Sequence, residues 1–284
     1  MANQDVILVT GATGTQGGGT IRHLLAQNAP FRIRGLTRKP DSDAAKALKA
    51  KGIEVVHGDL DDASSLERAL TGAWGVYAVQ NTWEAGVEKE EEQGHRIAKL
   101  ARERGVQHFV YGSVGSAHLG TGIPHFENKF RVEQTVKKLG FPSYTIIRPV
   151  FYMENLLSPW FLQGDKLMTA MKPTTKLQMI AADDIGRFGA RAFIDAAKHQ
   201  NAEVDIAGDS VTMLEAAEGV GRIVGKKLTF EPIPNEAVRK NSEDFAIMLD
   251  WFERVGYSAD IASLEKTWGI RPLTFEEWVA SKKK

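Results

Sequence analysis

The sequence predicts an α/β protein built on a doubly wound parallel sheet, with a smaller C-terminal α/β lobe, and three observations predict it. Short apolar runs alternate with helical-period segments through the first half of the 284 residues. The first run, Val6-Ile7-Leu8-Val9, is apolar at every position, as befits a strand covered on both faces. A glycine turn then separates it from a segment carrying Ile21, Leu24 and Leu25 at helical spacing.

The alternation continues element by element. Residues 31–37 read as the second strand, 44–50 as a helix and 53–56 as the third strand. A helix around 66–70 leads to a strand over 74–79, and a longer helix over 88–104 precedes the strand 108–111. Pro124 opens a helix that runs to 139, followed by a strand over 144–148. Beyond Pro149 the pattern loosens, and 151–160 is aromatic and broken by Pro159. A strand over 176–180, a helix capped by Asp183 and Asp184 that reaches 198, and a strand over 203–206 come next. A helix over 214–224, a strand over 228–232 and a helical remainder complete the reading. Residues 1–150 are therefore expected to form a dinucleotide-binding domain. Residues 151–284 would form a smaller substrate or partner lobe, with some elements returning to the main sheet.

Composition narrows the functional classes. Lys plus Arg and Asp plus Glu number 36 each, so no global field draws the protein to DNA or to an anionic membrane. The absence of cysteine excludes disulfides, thiolate metal sites and a Cys nucleophile. His95, His108, His118 and His199 show no metal-ligand spacing, and no metal is expected. The start, MANQDVILVTGATG, lacks the features of a signal peptide, and no later segment could span a bilayer, so a cytoplasmic protein is expected. The run Glu88-Lys89-Glu90-Glu91-Glu92 reads as a solvated first helical turn, and Lys282-Lys283-Lys284 as a frayed tail.

The glycine turn carries the chemistry. In Gly11-Ala12-Thr13-Gly14-Thr15-Gln16-Gly17 the glycines stand three apart between a buried strand and a helix. Gly11 would allow the tight turn, Gly14 the approach of backbone to a pyrophosphate at the helix N-terminus, and Gly17 close helix–strand packing. Thr13, Thr15 and Gln16 complete this phosphate-binding turn of Rossmann type. At the end of the second strand, where an acidic residue would select NAD, the sequence reads Thr37-Arg38-Lys39-Pro40. Arg38 can bind a 2′-phosphate through a forked pair of hydrogen bonds, which favours NADP(H). Asp59 and Leu60, after the third strand, are placed near the adenine, and Gln80 and Asn81, after the fourth, along the cofactor path. Each of these four could instead serve only as a loop cap.

The segments TGATGTQGG, LTRKP, VVHGDLDD, QNTWE, HFENK, RPVFYMENLL and LTFEEW together resemble the NmrA-like family, atypical short-chain dehydrogenases/reductases, over nearly the whole chain. The likeness is greatest to a branch of NADPH-sensing regulators, with quinone and related reductases as neighbours. It implies a dinucleotide-binding sheet with a cleft against a small C-terminal lobe. It also implies that the FYMEN segment lies beside the nicotinamide end; Phe151, Tyr152, Met153 and Asn155 enter as cofactor contacts on that match alone.

One departure matters. Typical short-chain reductases carry Tyr-x-x-x-Lys, whereas this chain reads His125-Phe126-Glu127-Asn128-Lys129. The resemblance implies that Lys129 is a ribose ligand; the residue could instead be an ordinary exposed helix lysine. His125, four residues earlier and in the first turn, stands near the positive helix end and near Lys129, both of which disfavour imidazolium. It is either a catalytic acid or a histidine that lines the cleft. Ser113 falls where such reductases carry a substrate-orienting hydroxyl, and Tyr152 could supply the missing phenol. Trp83, Phe151, Tyr152, Trp160 and Phe161 could form an apolar wall or plain core. Residues 114–123, rich in glycine and small residues, could form a mobile element over the cleft.

Two functions fit. One is an NADPH-dependent reductase for a small conjugated acceptor such as a quinone, which tolerates loss of the tyrosine. The other is a non-catalytic NADP(H) redox sensor that regulates a protein partner. Direct nucleic-acid binding is not expected, since charge is balanced and no basic recognition helix is present.

Overall fold

The computed structural model describes residues 4–282. The chain begins β1 (Asp5–Val9), α1 (Thr15–Ala26), β2 (Phe31–Thr37), α2 (Asp43–Ala50), β3 (Glu54–His57), α3 (Ala63–Leu70) and β4 (Ala73–Ala78). It continues through α4 (Thr82–Ala85), α5 (Val87–Glu103), β5 (His108–Gly112), α6 (Pro124–Lys138) and β6 (Ser143–Pro149). Next come β7 (Phe151–Tyr152), β8 (Leu162–Gln163), β9 (Lys166–Thr169), β10 (Lys176–Ile180), α7 (Ala182–Ile194), β11 (Ala202–Ile206) and β12 (Asp209–Thr212). The last elements are α8 (Met213–Val224), β13 (Thr229–Pro232), α9 (Asn235–Arg239), α10 (Glu243–Arg254), α11 (Ile261–Trp268) and α12 (Phe275–Lys282).

Seven strands form the main sheet in the order β11-β6-β5-β4-β1-β2-β3. The five pairings from β6 across to β3 are all parallel. Ile7, Leu8 and Val9 are fully buried, which is why β1 reads as an unbroken apolar run and occupies the centre. From β1 the chain winds outward to β2 and β3, then returns to β4 on the other side and winds out to β5 and β6. The sheet is therefore doubly wound, a Rossmann-like α/β fold, and its order reverses between β1 and β4. Ligands of such sheets bind beyond the carboxyl ends of the strands at this reversal.

The chain divides into two compact units, each discontinuous in sequence. The first comprises the chain up to Ser113, Asn128–Ile147 and Ile185–Val204; the second comprises Val114–Glu127, Arg148–Asp184 and the chain from Asp205 onward. Backbone contact explains the return of α7: a Cβ on Gly186 would lie 2.5 Å from the Gly19 carbonyl carbon, and one on Gly189 2.3 Å from the Thr20 hydroxyl. Only paired glycines let α7 lie so close on α1.

The second unit holds two three-stranded sheets, β12-β10-β7 and β13-β9-β8. Its apolar core includes Phe151, Met153, Phe161, Phe252 and Trp278. The hairpin of β8 and β9, absent from the sequence reading, turns at Gly164 with φ +65°. Asp183 and Asp184 lie inside the first turn of α7, and the Asp184 carboxylate accepts the Leu273 N–H at 2.7 Å. Residues 114–123 are tied down and not a free loop. The Ser116 N–H donates to Asp205 at 2.7 Å, and the Gly122 N–H to Glu127 at 2.9 Å. Lys282 is part of α12, with its ammonium 5.8 Å from the Trp278 ring centroid; Lys283 and Lys284 lie outside the described residues. Among the described residues no helix is long and apolar enough to cross a membrane.

Burial pushes the His108 imidazole on β5 down to about 4, against an opposing backbone hydrogen bond at Ala192 and with a further push from His199. His108 is thus neutral when folded but protonated when unfolded between about pH 4 and 6.5. Stability should be full above pH 6.5 and fall by roughly 3 kcal/mol as pH drops through that window. Urea unfolding at pH 7.5 and pH 5 should show about 2 kcal/mol of that loss, and His108→Asn, which can keep a hydrogen bond to the Ser143 hydroxyl that lies 2.7 Å from the His108 Nδ1, should flatten it.

Candidate functional site

The glycine turn sits where the sheet order reverses. Gly11 has φ +57°, a left-handed conformation that glycine adopts without strain, and its carbonyl accepts the Gly14 N–H at 2.9 Å. A Cβ on Gly17 would lie 2.4 Å from the Thr10 carbonyl oxygen, so glycine is required for α1 to start this close to β1. Gly14 is the N-cap of α1 and supplies no side chain to it, and no acidic residue lies in the first turn. Thr13, Gly14 and Thr15 are exposed, which leaves the positive end of the α1 dipole open to an anion. The Gln16 Oε1 accepts the buried Tyr77 hydroxyl at 3.0 Å, so this side chain braces the turn against β4.

Thr10 ties the turn to the end of β4. Its hydroxyl donates to the Val79 carbonyl at 3.0 Å and accepts the Val79 N–H at 2.8 Å. Gln80 follows immediately. It is 6% exposed, and both its side-chain oxygen and nitrogen lack a hydrogen-bond partner. A buried amide left unsatisfied costs about 1–3 kcal/mol. Asn81 spends its side chain as the N-cap of α4, accepting the Trp83 N–H at 3.2 Å.

Next to this lies a buried polar cluster that the charge run 88–92 conceals. Glu90 is 1% exposed and not solvated. Its carboxylate accepts from the Lys129 ammonium at 2.7 Å, from the Asn128 amide at 2.9 Å and from the Thr82 hydroxyl. Burial alone would raise its pKa; the charge of Lys129 and these three bonds outweigh that and hold it below the usual carboxylate range. The Asn128 amide also donates to the Val87 carbonyl at 2.7 Å, while its own oxygen has no partner. Nearby in the chain, Ser113 donates to buried Glu133 at 2.5 Å, so its hydroxyl is already engaged. The Tyr111 phenol is buried without a partner, and burial first, then Glu90 and Glu133, push its pKa well up.

At the end of β2, Arg38 and Lys39 are exposed, as their sequence position suggests. The fold nevertheless supplies a carboxylate there: Glu84 of α4 accepts directly from the Arg38 guanidinium. Asp59 accepts the Asp61 N–H at 3.0 Å, and the Leu60 carbonyl accepts from Arg96 at 2.6 Å. Both residues therefore hold the loop after β3.

Five of the predicted residues belong to the second unit. His125 has its Nδ1 against the Asp244 carboxylate, which also accepts the His125 N–H at 2.9 Å. This places a negative charge beside the imidazole that reasoning from the helix dipole and Lys129 does not include. Phe151 packs edge-on against Phe161 at 5.3 Å, and Met153 is fully buried, so both side chains are core. Tyr152 is half-buried and Asn155 exposed. Of the aromatics that could form either an apolar wall or plain core, Phe151 and Phe161 are core, while Trp83 and Trp160 are exposed.

Sequence reasoning missed Thr82, Glu84, Glu90, Asn128, Glu133 and Asp244. A signal existed for Glu90: with Gln93, Gly94, Ile97, Ala98 and Ala101 it shares the buried face of α5 at helical spacing.

Fold and turn together define a doubly wound α/β protein with the glycine turn of the dinucleotide-binding type. The model of the NmrA-like family matches residues 3–279, and the chain belongs to that family. It is 29% identical to the NmrA-like family domain-containing oxidoreductase FrzB of Cladobotryum sp over 256 residues, 80% of this chain and 76% of the relative. Its fold is shared with the NADPH-dependent quinone oxidoreductase QOR2 of Escherichia coli, solved with NADPH, at TM-score 0.82 and 24% identity over 97% of this chain and 99% of that one. It is likewise shared with NmrA, a negative transcriptional regulator, at TM-score 0.76 and 20% identity over 98% and 95% of the two chains.

Replacing Glu90 by Ala would leave Lys129 a buried, unpaired cation, and stability should fall by about 3–5 kcal/mol. Glu90→Gln combined with Lys129→Met removes both charges and should recover most of that loss. Urea titration of the three proteins measures it.

Proposed function

We propose that the protein binds NADP(H) on its first unit and uses it as a reductase of a conjugated, electron-poor acceptor of the quinone type. The observation that carries the cofactor reading is the buried, unpartnered amide of Gln80, tied through Thr10 to a glycine turn whose helix end is open to anions. These residues fit a dinucleotide. The backbone of Thr13, Gly14 and Thr15 would hold the pyrophosphate, with Gly11 and Gly17 fixing the turn. Gln80 would hydrogen-bond along the coenzyme, and Arg38, with Lys39 beside it, would bind the 2′-phosphate. Lys129, oriented by Glu90, would take a ribose hydroxyl. When bound, the coenzyme supplies hydride.

The acceptor class follows from what the chain does not offer. The tyrosine of Tyr-x-x-x-Lys is His125, and Ser113 is already bonded to Glu133. A quinone can accept hydride and draw its proton from solvent, so neither group is needed as an acid. Similarity to FrzB, an oxidoreductase, and to QOR2, a quinone oxidoreductase, supports this reading.

The likeness to a transcriptional regulator, together with the lost tyrosine, favours a second reading: a sensor that reports NADP(H) state to a protein partner. Sensing requires one redox form to bind one conformation more tightly. Calorimetric titration with NADPH should show binding that Arg38→Ala weakens on the order of tenfold, with NADH little changed. NADPH oxidation should then be seen with a quinone panel. Binding without turnover, and with unequal affinity for NADPH and NADP⁺, would replace the reductase by the sensor.

A further inference from the structure

At the end of β2 the sequence offers only cations, yet the folded protein brings three carboxylates toward Arg38. Glu84 bonds the guanidinium directly. That bond is the main reason the Arg38 pKa is raised, against a desolvation cost and with smaller contributions from Asp59 and Asp61. Asp61 is committed elsewhere, to Lys89 at 2.8 Å and to the Gln93 amide at 3.0 Å. Asp59 is turned to the Asp61 backbone. Glu84 is thus the carboxylate that matters at this cation.

Its placement is not that of a loose surface side chain finding a chance partner. Glu84 stands on α4, a single turn fixed at its start by the Asn81 cap and by the Thr82 hydroxyl bonded to buried Glu90. The helix is anchored from its buried end, and Glu84 is presented at the exposed end. Arg38 and Glu84 are about equally open, at 54% and 53% side-chain exposure. An ion pair this exposed contributes at most about 1 kcal/mol, so a doubly charged anion can replace it.

We propose that Glu84 is a specificity-determining residue for the coenzyme, occupying on Arg38 the place of a 2′-phosphate and competing with it. The inference rests on the reading that Arg38 binds that phosphate. Carboxylate and phosphate ask the planar guanidinium for the same N–H donors, so one must leave when the other binds. A ribose 2′-hydroxyl makes no such demand, and it can donate to a carboxylate as it does where an acidic residue selects NAD. Glu84 therefore narrows the preference that Arg38 creates, and the chain discriminates less between the two coenzymes than its sequence at β2 suggests.

The test is calorimetric titration of NADPH and NADH, at one ionic strength, on the unaltered protein, Glu84→Gln, Arg38→Ala and the double variant. Glu84→Gln should tighten NADPH about five- to tenfold, from the lost competition and the removed repulsion, and should not tighten NADH. In the Arg38→Ala background the same change should alter NADPH affinity by less than about twofold. Glu84→Gln that leaves NADPH unchanged, or shifts both coenzymes alike, overturns the proposal; if Arg38→Ala still weakens NADPH selectively, the Arg38 reading survives. If Arg38→Ala does not weaken NADPH selectively, both fall together.

Discussion

The close approach of α1 to β1 at Gly17 is the constraint on which the rest of the first unit depends. Any side chain there would meet the Thr10 and Gly11 carbonyls, at 2.4 and 2.5 Å from a Cβ. Because the helix starts so near the strand, its open N-terminus falls at the reversal of the sheet order, beside the end of β4. Thr10 then fixes the spacing between the two strand ends with a pair of hydrogen bonds to Val79. On its other side α1 accepts α7 through Gly19 and Gly186. One helix made thin by glycines thus joins a central strand, an exposed helix N-terminus and an element returning from far along the chain.

A second tier of order is electrostatic. Glu90 and Lys129 are both nearly buried, and a carboxylate in that position is tolerable only because an ammonium, an amide and a hydroxyl satisfy it. The bonds of Glu90 also join α4, α5 and α6, three elements that are separate in the sequence. Orientation of Lys129 is in this sense a property of the fold and not of the Lys129 rotamer. Gln80, the Asn128 oxygen and the Tyr111 hydroxyl lack partners in this otherwise bonded neighbourhood, and unsatisfied buried groups of this kind are expected at functional sites.

How much of this could be read beforehand varied with the range of the interaction. Elements governed by local periodicity were legible: β2 at 31–37 and β10 at 176–180 match the sequence reading residue for residue. The roles of Gly11 and Gly17 were legible too, because turn geometry and helix–strand distance act over a few residues. Short elements were not. α4 and the β8–β9 hairpin carry too few residues to show a period, and both are held by contacts distant in the chain. The charge run 88–92 misled because five ionisable residues in sequence look solvated, although position 90 shares a helical face with Ile97 and Ala101.

What the sequence determined by itself is the doubly wound architecture, the family, and the turn at residues 11–17, since each is written in short-range pattern. What only tertiary structure decided is which charges face one another. Arg38 meets Glu84 across 46 positions, Lys129 meets Glu90 across 39, and His125 meets Asp244 across 119. Coulomb energy depends on distance in space and on burial, neither of which is fixed by distance along the chain. The absence of an acidic residue at positions 37–40 was therefore a true statement about the sequence and an incomplete one about the site.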